Sequence, residues 1–180
     1  MSERPTAAPP LLPPGARPGF VGPLAVPGDL WWVVADPPLA GMAYPRVGPW
    51  EALGAAGFTH VLCLTEEPPR YDPAPLTVST IALQDLFSRR TPDDPDRDRA
   101  RALTAARFVV ERHGAGDGVV VHCHGGRGRT GMVLGCALVM LGHDPDAVVD
   151  WLHRGQRTRG RRGWPEQPWQ ATVVRECPEA

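Results

Sequence analysis

The sequence predicts an α/β fold, a central and mostly parallel β-sheet flanked by helices, and three observations carry that expectation. Short apolar runs rich in β-branched residues alternate along the chain with segments of helical spacing. Two of the runs, residues 59–65 and 118–123, are continuous rather than alternating, as in strands covered on both faces. A glycine-rich turn, residues 124–130, then joins the second run to a helical segment, and in α/β sheets ligands bind where strand ends meet helix starts.

The elements follow in order. Residues 1–27 form a proline-rich leader carrying Pro5, Pro9, Pro10, Pro13, Pro14, Pro18, Pro23 and Pro27, a composition that favours extended, flexible conformers over packing. Residues 28–180 then make one domain with one core, its packed part starting near Leu30. Residues 31–35 suit a strand, and "LAGMAYPR" after them reads as a loop. Helical spacing around Trp50, Leu53 and Ala56 ends at Gly57, and the strand 59–65 follows. "EEPPRYDPAP" is a loop on its proline content, and 76–83 is a further strand ending before Gln84-Asp85. Asp94-Pro95 is an N-cap and first-turn pair for a helix reaching Gly114, and Asp144-Pro145 opens another that ends near Gly155. Between them come the strand 118–123 and a buried helix over 130–141, and Pro165 opens a last helix to about Glu176.

Composition excludes several classes. A net charge of −1 gives no general attraction for nucleic acid. No apolar stretch is long enough to insert into a membrane and prolines interrupt any signal-peptide pattern, so the expected location is the cytoplasm. Cys63, Cys123, Cys136 and Cys177 are too scattered for a zinc site or a disulfide framework. All 19 basic residues are arginine, and Arg154, Arg157, Arg159, Arg161 and Arg162 cluster late, either as a solvated loop or as a rim that attracts an anion.

The chemistry concentrates in "HCHGGRGRTG", residues 122–131. Gly125, Gly126 and Gly128 allow the backbone to turn its N–H groups inward, and the next helix adds its own unpaired N–H groups and the positive end of its dipole. Such a cradle holds a phosphate-sized anion and favours the nucleophilic thiolate form of Cys123. Arg129 reaches back to grip two oxygens with its planar fork, Thr130 offers a hydroxyl to the sulfur, and His122 holds the loop through backbone contacts. No Gly-Lys-[Ser/Thr] occurs, so this is not a nucleotide-binding loop.

These residues resemble the Cys-x5-Arg-[Ser/Thr] signature of the cysteine-based protein tyrosine and dual-specificity phosphatases. "LAGMAYPR", "THVLCLTEEPPRYD", Asp85 and "WPEQPWQ" are similar in order and spacing to small bacterial dual-specificity-like members, over roughly residues 30–174. The resemblance implies a three-layer fold and a hydrolase, without metal or other cofactor, that acts on a phosphorylated protein or peptide through a phosphocysteine intermediate. Cys123 would attack phosphorus, with His124, Gly125, Gly126, Arg127, Gly128 and Arg129 holding the phosphate. An aspartate would protonate the leaving oxygen: Asp85 is the candidate, Asp93 and Asp94 its rivals. Gln170, with Gln167 as the nearby alternative, would orient the attacking water. Basic residues at 124 and 127 match the phosphoinositide-phosphatase branch, which leaves a phosphoinositide or inositol phosphate as an alternative substrate. In that branch Cys63 would correspond to a thiol that closes a protective disulfide with Cys123. A non-catalytic phosphate-binding module and a rhodanese-type sulfur transferase are the competing classes.

Overall fold

A computed structural model of the chain describes residues 7–16 and 29–178. Five strands, β1 (Trp31–Ala35), β2 (Pro38–Met42), β3 (Phe58–Cys63), β4 (Thr77–Thr80) and β5 (Gly118–His122), form one sheet in the order β1-β2-β5-β3-β4. Only the β1–β2 pair is antiparallel; β2, β5, β3 and β4 run parallel. The expected mostly parallel sheet is therefore present. Five helices complete the fold: α1 (Trp50–Ala55), α2 (Pro95–Gly114), α3 (Gly128–Met140), α4 (Pro145–Thr158) and α5 (Pro168–Arg175).

Alternation of side chains along the strands sorts the core into two layers. Leu62, Leu64, Val119, Val121 and Cys123 pack with α2, α3, α4 and α5 on one face. Val61, Val120, Ala40 and Met42 pack with Trp50 and Leu53 of α1 on the other. Helix α3 lies in the middle of the first layer, and every one of its residues is buried. That is why its sequence is apolar on all sides, unlike the one-sided α4.

Local chemistry accounts for the element ends. Asp94 Oδ1 accepts from Arg97 N at 3.0 Å and Asp144 Oδ1 from Ala147 N at 2.8 Å, each ahead of a proline whose missing N–H costs the first turn nothing. In α5 Pro168, not Pro165, opens the helix, and a Gln167/Gln170 capping box closes its N-terminus.

Two expectations change. "LAGMAYPR" does not read as a strand, yet Leu39–Met42 belong to β2. Its weak β-formers are required by packing, because a Cβ on Gly41 would enter the Trp31 ring. The leader was expected to be flexible, but residues 7–16 lie on the domain. Leu12 N donates to Val33 O at 2.9 Å, Trp151 Nε1 to Leu12 O at 2.9 Å and His143 Nε2 to Pro9 O at 2.9 Å. Leu11 packs on the first core layer. The remainder of the leader, residues 1–6 and 17–28, falls outside the described residues.

Candidate active site

The loop from β5 to α3 is held by its carbonyls. His122 O accepts from Leu64 N at 2.9 Å, His124 O from Tyr44 N at 3.0 Å and Arg127 O from Gly131 N at 2.8 Å. Side chains take the others: Arg161 reaches Gly125 O at 2.8 Å, Trp31 Nε1 reaches Gly126 O at 2.9 Å and Trp164 Nε1 reaches Gly128 O at 3.2 Å. Cys123 O is met by His122 Nδ1 at 3.2 Å. In a trans peptide the N–H points opposite to the preceding C=O, so carbonyls bound from outside turn the N–H groups of this loop toward its centre. Gly126 has φ +63° and sits against the Met42–Ala43 backbone, where no side chain fits.

Cys123 lies at the base of this ring, 3% exposed. Thr130 Oγ1 donates to its sulfur at 3.2 Å. Arg129 is fully drawn into the site: its side chain is 5% exposed, one nitrogen donates to Leu83 O at 3.0 Å and the other meets Asp85 Oδ2 at 2.5 Å. The ring therefore presents a thiol, inward N–H groups and a guanidinium to one point.

Of the three candidate aspartates, Asp85 alone is brought to that point. Asp93 is held by Gln84 and Arg89, and Asp94 caps α2. The loop carrying Asp85 is pinned by residues the sequence did not reveal. Glu66 Oε2 accepts from Asp85 N at 3.1 Å, and the buried Asp98 accepts from Gln84 N at 2.8 Å. Gln167 Nε2 adds a bond to Leu86 O at 3.3 Å from the start of α5.

The remaining expectations fare differently. His124 is exposed at the mouth beside Tyr44, its ring 6.0 Å away. Arg127, its side chain 23% exposed and its Nε buried, pairs with Glu166 at 2.9 Å, so its charge is already balanced. Gln170 is 1% exposed, and its amide oxygen accepts from Glu166 N at 3.0 Å and Gln167 N at 3.2 Å. Its oxygen thus holds the start of α5, and a Cβ on Gly128 would strike its amide nitrogen and the Glu166 carboxylate. Cys63 ends β3, the strand beside β5. It pairs in register with His122, and it hydrogen-bonds Thr65 at 3.1 Å. The Cys63 and Cys123 thiols are both buried and unlinked.

His122 is the buried polar residue behind the ring. Burial pushes its pKa down to about 4, so the ring is neutral near pH 7. The carbonyl of Cys123 can only accept, which places the proton on Nδ1 and leaves Nε2 to accept from Tyr71 OH at 2.5 Å. Burial in turn raises the Tyr71 phenol, keeping it a donor.

Comparison with known proteins agrees with this geometry. A family model described as "Swiss Army Knife protein, DSP-PTPase phosphatase domain" matches residues 29–167. Protein 067L of Invertebrate iridescent virus 3, named as a tyrosine phosphatase, is 33% identical over 82 residues, which are 41% of this chain and 34% of that protein. The matched stretch thus spans about a third of the viral relative's length. Crystal structures of P. aeruginosa TpbA superpose with a TM-score of 0.62 at 19% identity, covering 86% of this chain and 89% of the other. The catalytic core of the S. cerevisiae PP-IP phosphatase SIW14 gives 0.61 at 13% identity, covering 86% and 88%. At these identities the two structures establish likeness of fold.

Proposed function

The chain belongs to the DSP-PTPase phosphatase family, and on that premise we propose that it hydrolyses phosphate monoesters of proteins or peptides through a phosphocysteine intermediate. The observation that carries the reading is the convergence of Cys123 Sγ, the Arg129 guanidinium and the Asp85 carboxylate on one ring of inward N–H groups.

A phosphate dianion competes for the same Arg129 fork that holds Asp85. As the dianion takes the guanidinium, Asp85 is released, takes up a proton from solvent and turns toward the leaving oxygen. The Cys123 thiolate attacks phosphorus, the P–O bond to the leaving group breaks, and Asp85 supplies the proton that leaving oxygen needs. The loop N–H groups and Arg129 stabilise the equatorial oxygens through the transition state. Asp85, now ionised, takes a proton from water as that water attacks phosphorus and the S–P bond breaks. Thr130 donates to the sulfur as the thiolate re-forms. With its oxygen held by backbone N–H groups, Gln170 supports the start of α5, and its amide nitrogen, beside Gly128, is the group that would orient the water.

The basic pair that favoured phosphoinositides is reduced to His124, since Arg127 is neutralised by Glu166. A mere phosphate-binding module has no use for a nucleophile with a hydroxyl directed at its sulfur. Among the described residues no helix is long and apolar enough to cross a membrane. With four free thiols, we place the enzyme in the cytoplasm.

The test is turnover of phosphopeptide and phosphoinositide panels by the wild type and single variants. Cys123→Ser abolishes turnover. A general acid must be protonated, so its ionisation draws the alkaline limb of the kcat/KM profile; Asp85→Asn lowers kcat by ~100-fold and flattens that limb. Loss of the limb in Asp94→Asn instead would transfer the role to Asp94.

A further inference from the structure

The large apolar side chains left exposed among the described residues are Val47, 86% exposed, and Phe87, 95% exposed. They belong to two loops that flank the β5 loop on opposite sides. Strand order puts the loop after β2, with Val47, on one flank of the β5 loop, and the loop after β4, with Phe87, on the other. Each loop is tied to the site itself: Tyr44 N bonds His124 O, and Phe87 N bonds the Asp85 carboxylate at 3.1 Å. Beside His124 runs a groove of about 650 Å³ lined by Tyr44, Pro45, Arg46, Pro68 and Tyr71 among others. Arg70 at its edge is paired with Glu67 at 3.2 Å, whereas Arg46 has no ion-pair partner among the described residues.

We infer that this rim selects a phosphorylated polypeptide segment that sets apolar side chains on both sides of the phosphoresidue, against Val47 and Phe87, and an acidic side chain against Arg46. The inference rests on the phosphatase reading above. Two apolar contacts separated by a cleft suit an extended chain whose central residue enters the ring, and aromatic and proline walls suit its backbone. A free inositol phosphate has no apolar group to cover either contact. An anionic membrane is disfavoured, since the exposed Glu66, which holds Asp85 N, puts a negative charge beside the site and would repel it.

The experiment compares two phosphopeptides, one with apolar flanks and an acidic residue, the other with glycine and serine in their place. Wild type, Val47→Ser, Phe87→Ser and Arg46→Ser are assayed on both, on p-nitrophenyl phosphate, and on vesicles of phosphatidylcholine containing a phosphoinositide. The same substitutions in the Cys123→Ser background are titrated with both peptides for binding. The expected result is a wild-type preference of ~10-fold or more for the apolar-flanked peptide, in kcat/KM and in Kd. That preference collapses in Phe87→Ser and Val47→Ser, while p-nitrophenyl phosphate turnover stays within about twofold of wild type. Equal treatment of the two peptides by the wild type, or a rim variant that loses only vesicle turnover, overturns the inference. Failure of the wild type on p-nitrophenyl phosphate counts against the phosphatase reading, and the binding titrations still decide the rim.

Discussion

His122 shows how one residue links sequence, protonation and the nucleophile. It is neutral because it is buried, and its proton sits on Nδ1 because a carbonyl faces that atom. A histidine whose pKa is lowered on folding opposes folding only when protonation begins in the unfolded chain. Stability is therefore full above about pH 6.5 and falls as pH drops from there toward 4, by up to roughly 3 kcal/mol from this group. Urea denaturation across that window checks the slope, and a His122→Asn variant that keeps it unchanged would assign it elsewhere. Tyr71→Phe leaves the buried Nε2 without its donor and is expected to cost ~1–3 kcal/mol, measured by the same method. The sequence disclosed His122 as a loop-holding residue, since it adjoins Cys123. It could not disclose Tyr71, which comes from a proline-rich loop 51 residues earlier in the chain. Separations of 19 and 14 residues likewise hid Glu66 and Asp98, the two carboxylates that pin the Asp85 loop from other elements.

At the scale of elements, the β5–α3 loop is a ring whose shape depends on its neighbours as much as on its glycines. Gly126→Ala places a Cβ against the backbone of β2 at positive φ. The expected cost is ~2 kcal/mol or more, with turnover lost; calorimetry and kinetics read both. Trp31→Phe retains an aromatic ring to pack on Trp151 but removes the donor to Gly126 O. Activity should fall by ~10-fold with stability lowered by only ~1 kcal/mol. An unchanged kcat in both variants would mean that the ring tolerates disorder the proposed chemistry does not. The loop and the helices with aspartate-proline caps are legible in sequence because their signals are local. Strand β2 is not, because its Gly41 answers to the Trp31 ring, a tertiary constraint that overrides propensity. Arg161 was one of five late arginines with no distinguishing neighbour; only the fold brings it to Gly125 O.

Across the whole molecule, the sheet carries Cys123 at the end of its central strand and Asp85 on the loop after β4, so the site depends on the entire layer arrangement. The described part of the leader belongs to that arrangement too. Removing residues 1–16 takes away Leu11's packing on the core and the bond from Leu12 to Val33, for a loss of about 2 kcal/mol, or roughly 4–8 °C in Tm. A truncated chain melting with the full one would show that the docked segment adds nothing. The central claim is that Cys123 carries the phosphoryl group during turnover. Acid-quenching the enzyme while it turns over a phosphopeptide, followed by digestion and mass spectrometry, tests this directly. The account predicts one phosphoryl group on the Cys123 peptide, accumulating further in Asp85→Asn with an activated aryl phosphate and absent in Cys123→Ser. Steady turnover with the phosphoryl group on another residue, or retained by Cys123→Ser, would contradict it.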